Sequence, residues 1–160
     1  MPELQPIPVT RSPDSGTIPS PFQWPVRIYW EDTDAGGVVF YANYLKYMER
    51  ARTEWLRTLG HEQQRLRDEE GILFVVRRVE VDYLRPAILD DRVLVSAELV
   101  EMKRASLVIR HALQRETPAG EGELLCRGEV RIACLDARRL APRPIPQAVA
   151  RTMNSGECPK

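Results

Sequence analysis

The chain has 160 residues, 43% hydrophobic and 29% charged, which suits one compact domain with one sizeable core. Lys plus Arg and Asp plus Glu stand at 23 each, for a formal net charge of zero; this excludes a broad nucleic-acid-binding face but not a local basic patch for a phosphorylated group. Three cysteines, Cys126, Cys134 and Cys158, are odd in number and lack metal-ligand spacing, which argues against a disulfide framework and for a reducing compartment.

Residues 1–21 are dense in Pro with Ser, Thr and Gly. They hold too little apolar surface to offset their ordering entropy and read as a disordered extension, with an arm on a neighbouring subunit as the other reading. No basic segment leads into an apolar run there, and no stretch approaches the roughly 18 apolar residues of a membrane span, so a soluble, cytoplasmic protein is expected. The domain proper spans 22–160, with a short C-terminal tail.

Residues 26–30 read as the first strand. A polar, Gly-containing stretch follows, Glu31-Asp32-Thr33-Asp34-Ala35-Gly36-Gly37, and then an apolar approach to a long helix at 43–59. In that helix Leu45, Met48, Arg52, Trp55, Leu56 and Leu59 recur at spacings of three and four, with Ala51 on the same face. Asn43 is its expected N-cap and Gly60 its C-cap. Residues 61–70 are polar, with room for a short helix. Strands are then predicted at 72–84, 91–102, 106–114 and 124–135, the turn at 117–122 carrying Pro118 and two glycines. Val93, Val95, Ala97 and Leu99 share one face, as do Leu107, Ile109, His111 and Leu113, and Cys126, Val130, Ile132 and Cys134; Arg127, Glu129 and Arg131 take the opposite face. A Pro-rich exit leads to a short helix at 146–153. One long helix with segregated strands must pack on one face of an antiparallel sheet. The expected class is α+β, a curved sheet of about five strands wrapped around one central helix, which is the hotdog arrangement.

Three acids lie within four residues directly after the first strand. A solvated acidic turn is the plain explanation. Gly36 and Gly37 allow close backbone approach to a ligand, and the helix start beyond offers unpaired N–H groups and a positive dipole end. A carboxylate beside such donors suits acyl transfer: the donors polarise a thioester carbonyl while the acid attacks it or activates water. The Mg²⁺ phosphotransfer reading of Asp-x-Asp needs an alternating β/α chain that is missing here. His61 reads as a solvated or capping residue, His111 as a satisfied core or interface histidine, and Cys126 and Cys134 as packing residues. Glu49 is expected to pair with Arg50, Arg52 or Arg104, with reach to the site as the alternative. Lys103 and Arg104 read as either a solvated turn or a holder of phosphates.

From Phe22-Gln23-Trp24-Pro25 through Glu31-Asp32-Thr33-Asp34-Ala35-Gly36-Gly37-Val38-Val39-Phe40-Tyr41-Ala42-Asn43-Tyr44, the chain resembles the 4-hydroxybenzoyl-CoA thioesterase-like hotdog family. Within it the chain is most similar to the acyl-CoA thioesterases associated with the Tol-Pal cell-envelope system. The likeness continues in Glu49-Arg50-Ala51-Arg52-Thr53-Glu54, Phe74-Val75-Val76-Arg77-Arg78, Tyr83-Leu84-Arg85-Pro86-Ala87 and Ser106-Leu107-Val108, and covers roughly residues 22–146.

The resemblance implies that Asp34, rather than Asp32, is the nucleophile or general base, that the Tyr41 backbone N–H polarises the acyl carbonyl, and that Gly37 is the family's loop glycine. It implies sites built between subunits, a homotetramer with a homodimer as the minimum, and basic residues on the CoA nucleotide; by position these are Lys103 and Arg104, with Ser106 beside them. Many Tol-Pal-associated members carry His where this chain has Tyr41, whereas the aromatic-thioesterase branch carries Tyr there, which bears on acyl preference and removes a histidine-assisted mechanism. The expected activity is hydrolysis of an acyl-CoA to free acid and CoA, with no metal, no redox cofactor and no nucleic acid. The alternative is a module that binds acyl carrier protein or envelope partners. A hotdog hydratase would want a histidine near the helix start, where neither His61 nor His111 lies.

Overall fold

The computed structural model describes residues 21–119 and 122–157. The Pro-rich extension up to residue 20, the middle of the 117–122 turn and Cys158 lie outside them. In chain order the elements are β1 (Phe22–Arg27), α1 (Asn43–Thr58), α2 (Gln63–Glu69), β2 (Ile72–Tyr83), β3 (Arg92–Lys103), β4 (Ser106–Arg115), β5 (Leu124–Asp136) and α3 (Gln147–Ser155). The strands form one antiparallel sheet in the order β1-β3-β4-β5-β2, with α1 on its concave face: an α+β hotdog, as expected.

Strand alternation sets the two faces. Across β3, β4, β5 and β2 the concave rows read Met102–Leu107–Ile132–Val76 and Leu99–Ile109–Val130–Val79. The outer rows are charged, such as Glu98–Arg110–Glu129–Glu80. Met48, Tyr47, Ala51 and Leu56 of α1 are buried against Val93, Val95, Ile109, Leu113, Cys126 and Val130. Each fully buried large side chain contributes about 1.5–3 kcal/mol. The helix comes close enough that a Cβ at Gly128 on β5 would stand 2.8 Å from Met48 Cε.

Three local expectations change. The first strand lies earlier than 26–30: Phe22 to Arg27 pairs with Ala97 to Arg92, and the chain then tightens into a 3-10 turn at Trp30–Asp32. Asp32 drives that turn, because its Oδ2 accepts the Tyr29 N–H at 2.8 Å. Pro25 sits inside the strand because β1 is an edge, where a missing N–H is tolerated. Asn43 does not cap α1: the N-cap is Ala42, with no side-chain cap bond, and Asn43 Nδ2 donates to the Asp32 carbonyl at 2.9 Å. Leu45 is exposed, and Tyr44 and Tyr47 take the buried positions instead. The helix end follows expectation. Leu59 is the C-cap, Gly60 follows at φ 85°, its N–H bonds the Arg57 carbonyl, and the His61 N–H bonds the Leu56 carbonyl, a Schellman closure.

Candidate active site

The acidic loop is a tight hairpin between β1 and α1. Thr33 bridges Val39, the Asp34 N–H bonds the Val38 carbonyl at 2.9 Å, and the Gly37 N–H bonds the Asp34 carbonyl at 3.0 Å. Gly37 closes it at φ 76°, a conformation that costs an L-residue roughly 1–2 kcal/mol. Gly37→Ala should therefore lower stability by about 1 kcal/mol and reduce turnover through a shifted loop. A thermal melt and a rate measurement unchanged from wild type would contradict this.

The loop aims Asp34. Its Oδ1 accepts the Gly36 N–H at 2.8 Å, the one side-chain bond made to this carboxylate among the described residues, and the side chain is exposed. Asp32 is used up structurally by the Tyr29 N–H and, through its carbonyl, by Asn43 and by the Phe40 N–H at 2.9 Å. The two acids therefore differ in availability, and Asp34 is the free one.

Tyr41 stands at the approach to α1 with its peptide groups fixed. The Phe40 carbonyl, in the same peptide unit as the Tyr41 N–H, accepts the Asn43 N–H at 2.9 Å; the Tyr41 carbonyl accepts Tyr83 Oη at 2.9 Å. No acceptor among the described residues takes the Tyr41 N–H, so a donor at the positive end of a helix is left open. The surrounding frame is tied to the β2–β3 connection: Val39 N–H to the Ala87 carbonyl at 2.9 Å, Ala87 N–H to Tyr44 Oη at 3.0 Å, and Val38 bridged to Ile88. Burial pushes the Tyr44 hydroxyl's pKa up, keeping it a neutral hydrogen-bonding group. Tyr41, Tyr83 and Tyr44 make successive ring contacts, 6.4 and 5.4 Å between centroids. Leu45 on α1 and Val76 and Val79 on the edge strand β2 are exposed apolar side chains.

The predicted CoA residues divide. Lys103 and Ser106 line a cavity of about 340 Å³ together with Arg77, Arg78 and Arg131. Arg104 is not in that lining; its carbonyl accepts the Ile145 N–H at 2.9 Å. The three added arginines were missed as a group because their proximity is a matter of register. A bulge at Arg77 breaks the β2 ladder, and Arg78 lies directly opposite Arg131. Like charges placed so are unfavourable; Glu80 pairs with Arg78, and Glu101, in the same cavity lining, pairs with Lys103 at 3.3 Å. Arg77-Arg78 in an otherwise apolar strand start, and Arg131 on the polar face of β5, were the readable signals. Glu49 pairs with Arg52, one of its three expected partners. His111 is a buried core histidine, and His61 joins Thr152 at 2.8 Å. No group of three or more His, Cys, Asp and Glu among the described residues is placed to hold a metal. No helix among them is long and apolar enough to cross a membrane.

Comparison with known proteins agrees with this geometry. The chain is 44% identical over 128 residues to the acyl-CoA thioesterase YbgC of Haemophilus influenzae, covering 80% of this chain and 90% of that protein. Among solved structures, a probable thioesterase from Bartonella henselae superposes with a TM-score of 0.71 at 30% identity, covering 78% of this chain and 98% of that one. The 4-hydroxybenzoyl-CoA thioesterase of Pseudomonas sp. strain CBS-3 superposes with a TM-score of 0.74 at 25% identity, over 81% and 96% of the two chains. The model of the thioesterase-like superfamily matches residues 28–153, and with a relative 44% identical over 128 residues the chain belongs to that hotdog superfamily.

Proposed function

We propose that the protein hydrolyses acyl-CoA thioesters to a free acid and CoA, with Asp34 as the reacting carboxylate. The observation that carries the reading is the Asp34 hairpin itself: an exposed carboxylate aimed by the Gly36 N–H, close in sequence to the open N–H of Tyr41. The Tyr41 N–H polarises the thioester carbonyl and stabilises the oxyanion as it forms. Asp34 either attacks that carbon, giving an anhydride that water then cleaves, or takes a proton from the attacking water. In both cases the C–S bond breaks, the sulfur leaves as CoA and receives a proton, and one water is consumed. Gly37 keeps the loop in shape. No metal or redox cofactor enters this scheme.

The nucleotide end of CoA is assigned in the same proposal to Lys103 and Ser106, joined by Arg77, Arg78 and Arg131, with Arg104 at the same turn but outside their cavity. The clustered charge favours phosphate, and the chain's overall neutrality confines the attraction to this face. Replacing Arg78 and Arg131 together by Gln should raise KM for acyl-CoA about tenfold or more and flatten its rise with salt, with kcat little changed. An unaltered KM would remove these residues from the site.

The working unit is a homodimer at least, and a homotetramer by family resemblance. β2 supports this: it is a sheet edge twelve residues long with exposed Val76 and Val79, and such an edge invites pairing with another chain. A second copy there would cover Val76 and Val79. The same resemblance makes the protein a cytoplasmic enzyme working alongside the Tol-Pal system. The activity is tested by release of free thiol from a panel of short, long and aromatic acyl-CoA esters; a well-folded wild type that turns over none of them overturns the reading.

A further inference from the structure

The guanidinium of Arg115, the last residue of β4, reaches three separate segments. Its Nε donates to Asp91 Oδ2 at 3.0 Å, its Nη2 to the Pro86 carbonyl at 2.8 Å, and its Nη1 to Glu123. One side chain thereby holds both ends of the connection between β2 and β3. The pair with Asp91 is sheltered, the two side chains being 26% and 14% exposed. Asp91 Oδ2 also accepts the Ile88 N–H at 2.9 Å, and the Asp91 N–H returns to the Ile88 carbonyl at 3.1 Å. Asp90, between them, stands at φ 69°. A non-glycine residue persists in that left-handed conformation only where its surroundings over-determine it, and Arg27 Nη1 adds a bond to the Asp90 carbonyl at 2.7 Å.

What this clamp holds is the frame around Asp34. The Pro86 carbonyl belongs to the same planar peptide unit as the Ala87 N–H, which donates to Tyr44 Oη at 3.0 Å in the first turn of α1. That peptide is therefore fixed from β4 on one side and from the helix on the other. The Ala87 carbonyl accepts the Val39 N–H at 2.9 Å, and Ile88 bridges Val38. The Val38 carbonyl in turn accepts the Asp34 N–H at 2.9 Å. Ala87 and Tyr44 are buried, at 0% and 3% exposure, so water does not replace a bond lost between them. Hydrogen bonds and rigid peptide units thus run from Arg115 to both halves of the site, the Asp34 hairpin and the helix start beyond Tyr41. An arginine suits this place because its planar fork sets several bonds in fixed directions, whereas a lysine offers one point of charge on a flexible stem.

Resting on the thioesterase reading above, we propose that Arg115 is a positioning residue for the reaction: by gripping the Pro86–Ala87 peptide together with Asp91, it fixes the Asp34 carboxylate and the Tyr41 N–H relative to each other. Relative placement matters because a shift of about 1 Å between reacting groups can cost on the order of a hundredfold in rate.

The test measures kcat and KM for free-thiol release from the best ester of the panel, on the full chain. Arg115→Gln should lower kcat by about tenfold to a hundredfold, up to the scale of losing an oxyanion donor outright, with KM within about threefold of wild type. Tyr44→Phe frees the same peptide from its other side and should also lower kcat. Since both act through one peptide, the double variant should fall little further than the worse single one, whereas independent losses would multiply. Glu123→Gln removes the outward partner of the same guanidinium and should leave kcat unchanged. If Arg115 served only to steady the end of β4, Glu123→Gln would be slowed as much as Arg115→Gln. Arg115→Lys keeps a cation beside Asp91 but gives up the simultaneous reach to Pro86. It should keep most of the melting temperature and still lose kcat, so the test does not hinge on the larger change folding. A kcat within about threefold of wild type in either Arg115 variant, or losses that multiply in the double variant, overturns the proposal and leaves the thioesterase reading intact. Turnover of no ester by well-folded wild type overturns both.

Discussion

Asp34→Asn should lower kcat for acyl-CoA hydrolysis by about a hundredfold to ten-thousandfold, the range expected when a general base or nucleophile is lost. The substitution isolates the chemistry. An asparagine Oδ1 can still accept the Gly36 N–H that orients Asp34 at 2.8 Å, and the side chain is exposed, so the hairpin and the fold should persist and KM should move little. The check is free-thiol release from the best ester of the panel, alongside a thermal melt of both proteins. A kcat within tenfold of wild type would show that Asp34 is not the reacting group. Asp32 serves as the internal control. Its carboxylate is committed to the Tyr29 N–H, so Asp32→Asn should act mainly through loop stability, with a smaller loss of kcat than at Asp34.

Acidification should destabilise the wild type more steeply than His111→Gln. In the unfolded chain a histidine titrates near 6.5, whereas in the fold His111 is held down to about 3 by burial and then by the Arg52 charge. Between those values the unfolded chain binds the extra proton, so stability rises with pH: the contribution is complete above 6.5 and gone by about 3. By pH 4 the loss is on the order of 3 kcal/mol. Glutamine can take over the ring's bonds, donating to the Ser96 carbonyl and accepting from Arg52, yet it does not titrate. Carboxylates elsewhere act alike in both proteins, so the difference between the two curves belongs to His111. Urea midpoints at pH 7, 5 and 4 make the comparison, and parallel curves would refute it.

The parts of this protein legible in its sequence are those encoded by neighbours along the chain. Period-two alternation located β3, β4 and β5 and assigned their faces, because successive side chains on a strand point oppositely whatever lies across from them. The three-and-four spacing of Met48, Arg52, Trp55 and Leu56 located α1, and Gly60 marked its end. The Asp34-Ala35-Gly36-Gly37 loop was readable for the same reason: its turn, its glycine at positive φ and its self-bonded carboxylate are made within a few residues. Local spacing did less well where a distant partner decides. Phe22 joins β1 because it meets Ala97, and Asn43 leaves its capping place for the Asp32 carbonyl. Leu45 is exposed, and Tyr44 and Tyr47 take the buried side of α1.

What the tertiary structure alone decided is which remote side chains share a place. The strand order β1-β3-β4-β5-β2 sets Arg78 opposite Arg131, brings Tyr83 to the Tyr41 carbonyl and the Ala87 N–H to Tyr44, and sets His111 beneath Arg52. These partners are 42 to 59 residues apart and carry no shared local signature; only the closing of long loops by cooperative sheet pairing joins them. The sequence by itself therefore determined the class of fold and the acidic loop that carries Asp34. Pairing and packing decided the basic face beyond Lys103 and Ser106, the fixed peptide at Tyr41 and the buried contact of His111 with Arg52, because each depends on register and packing that no local pattern encodes.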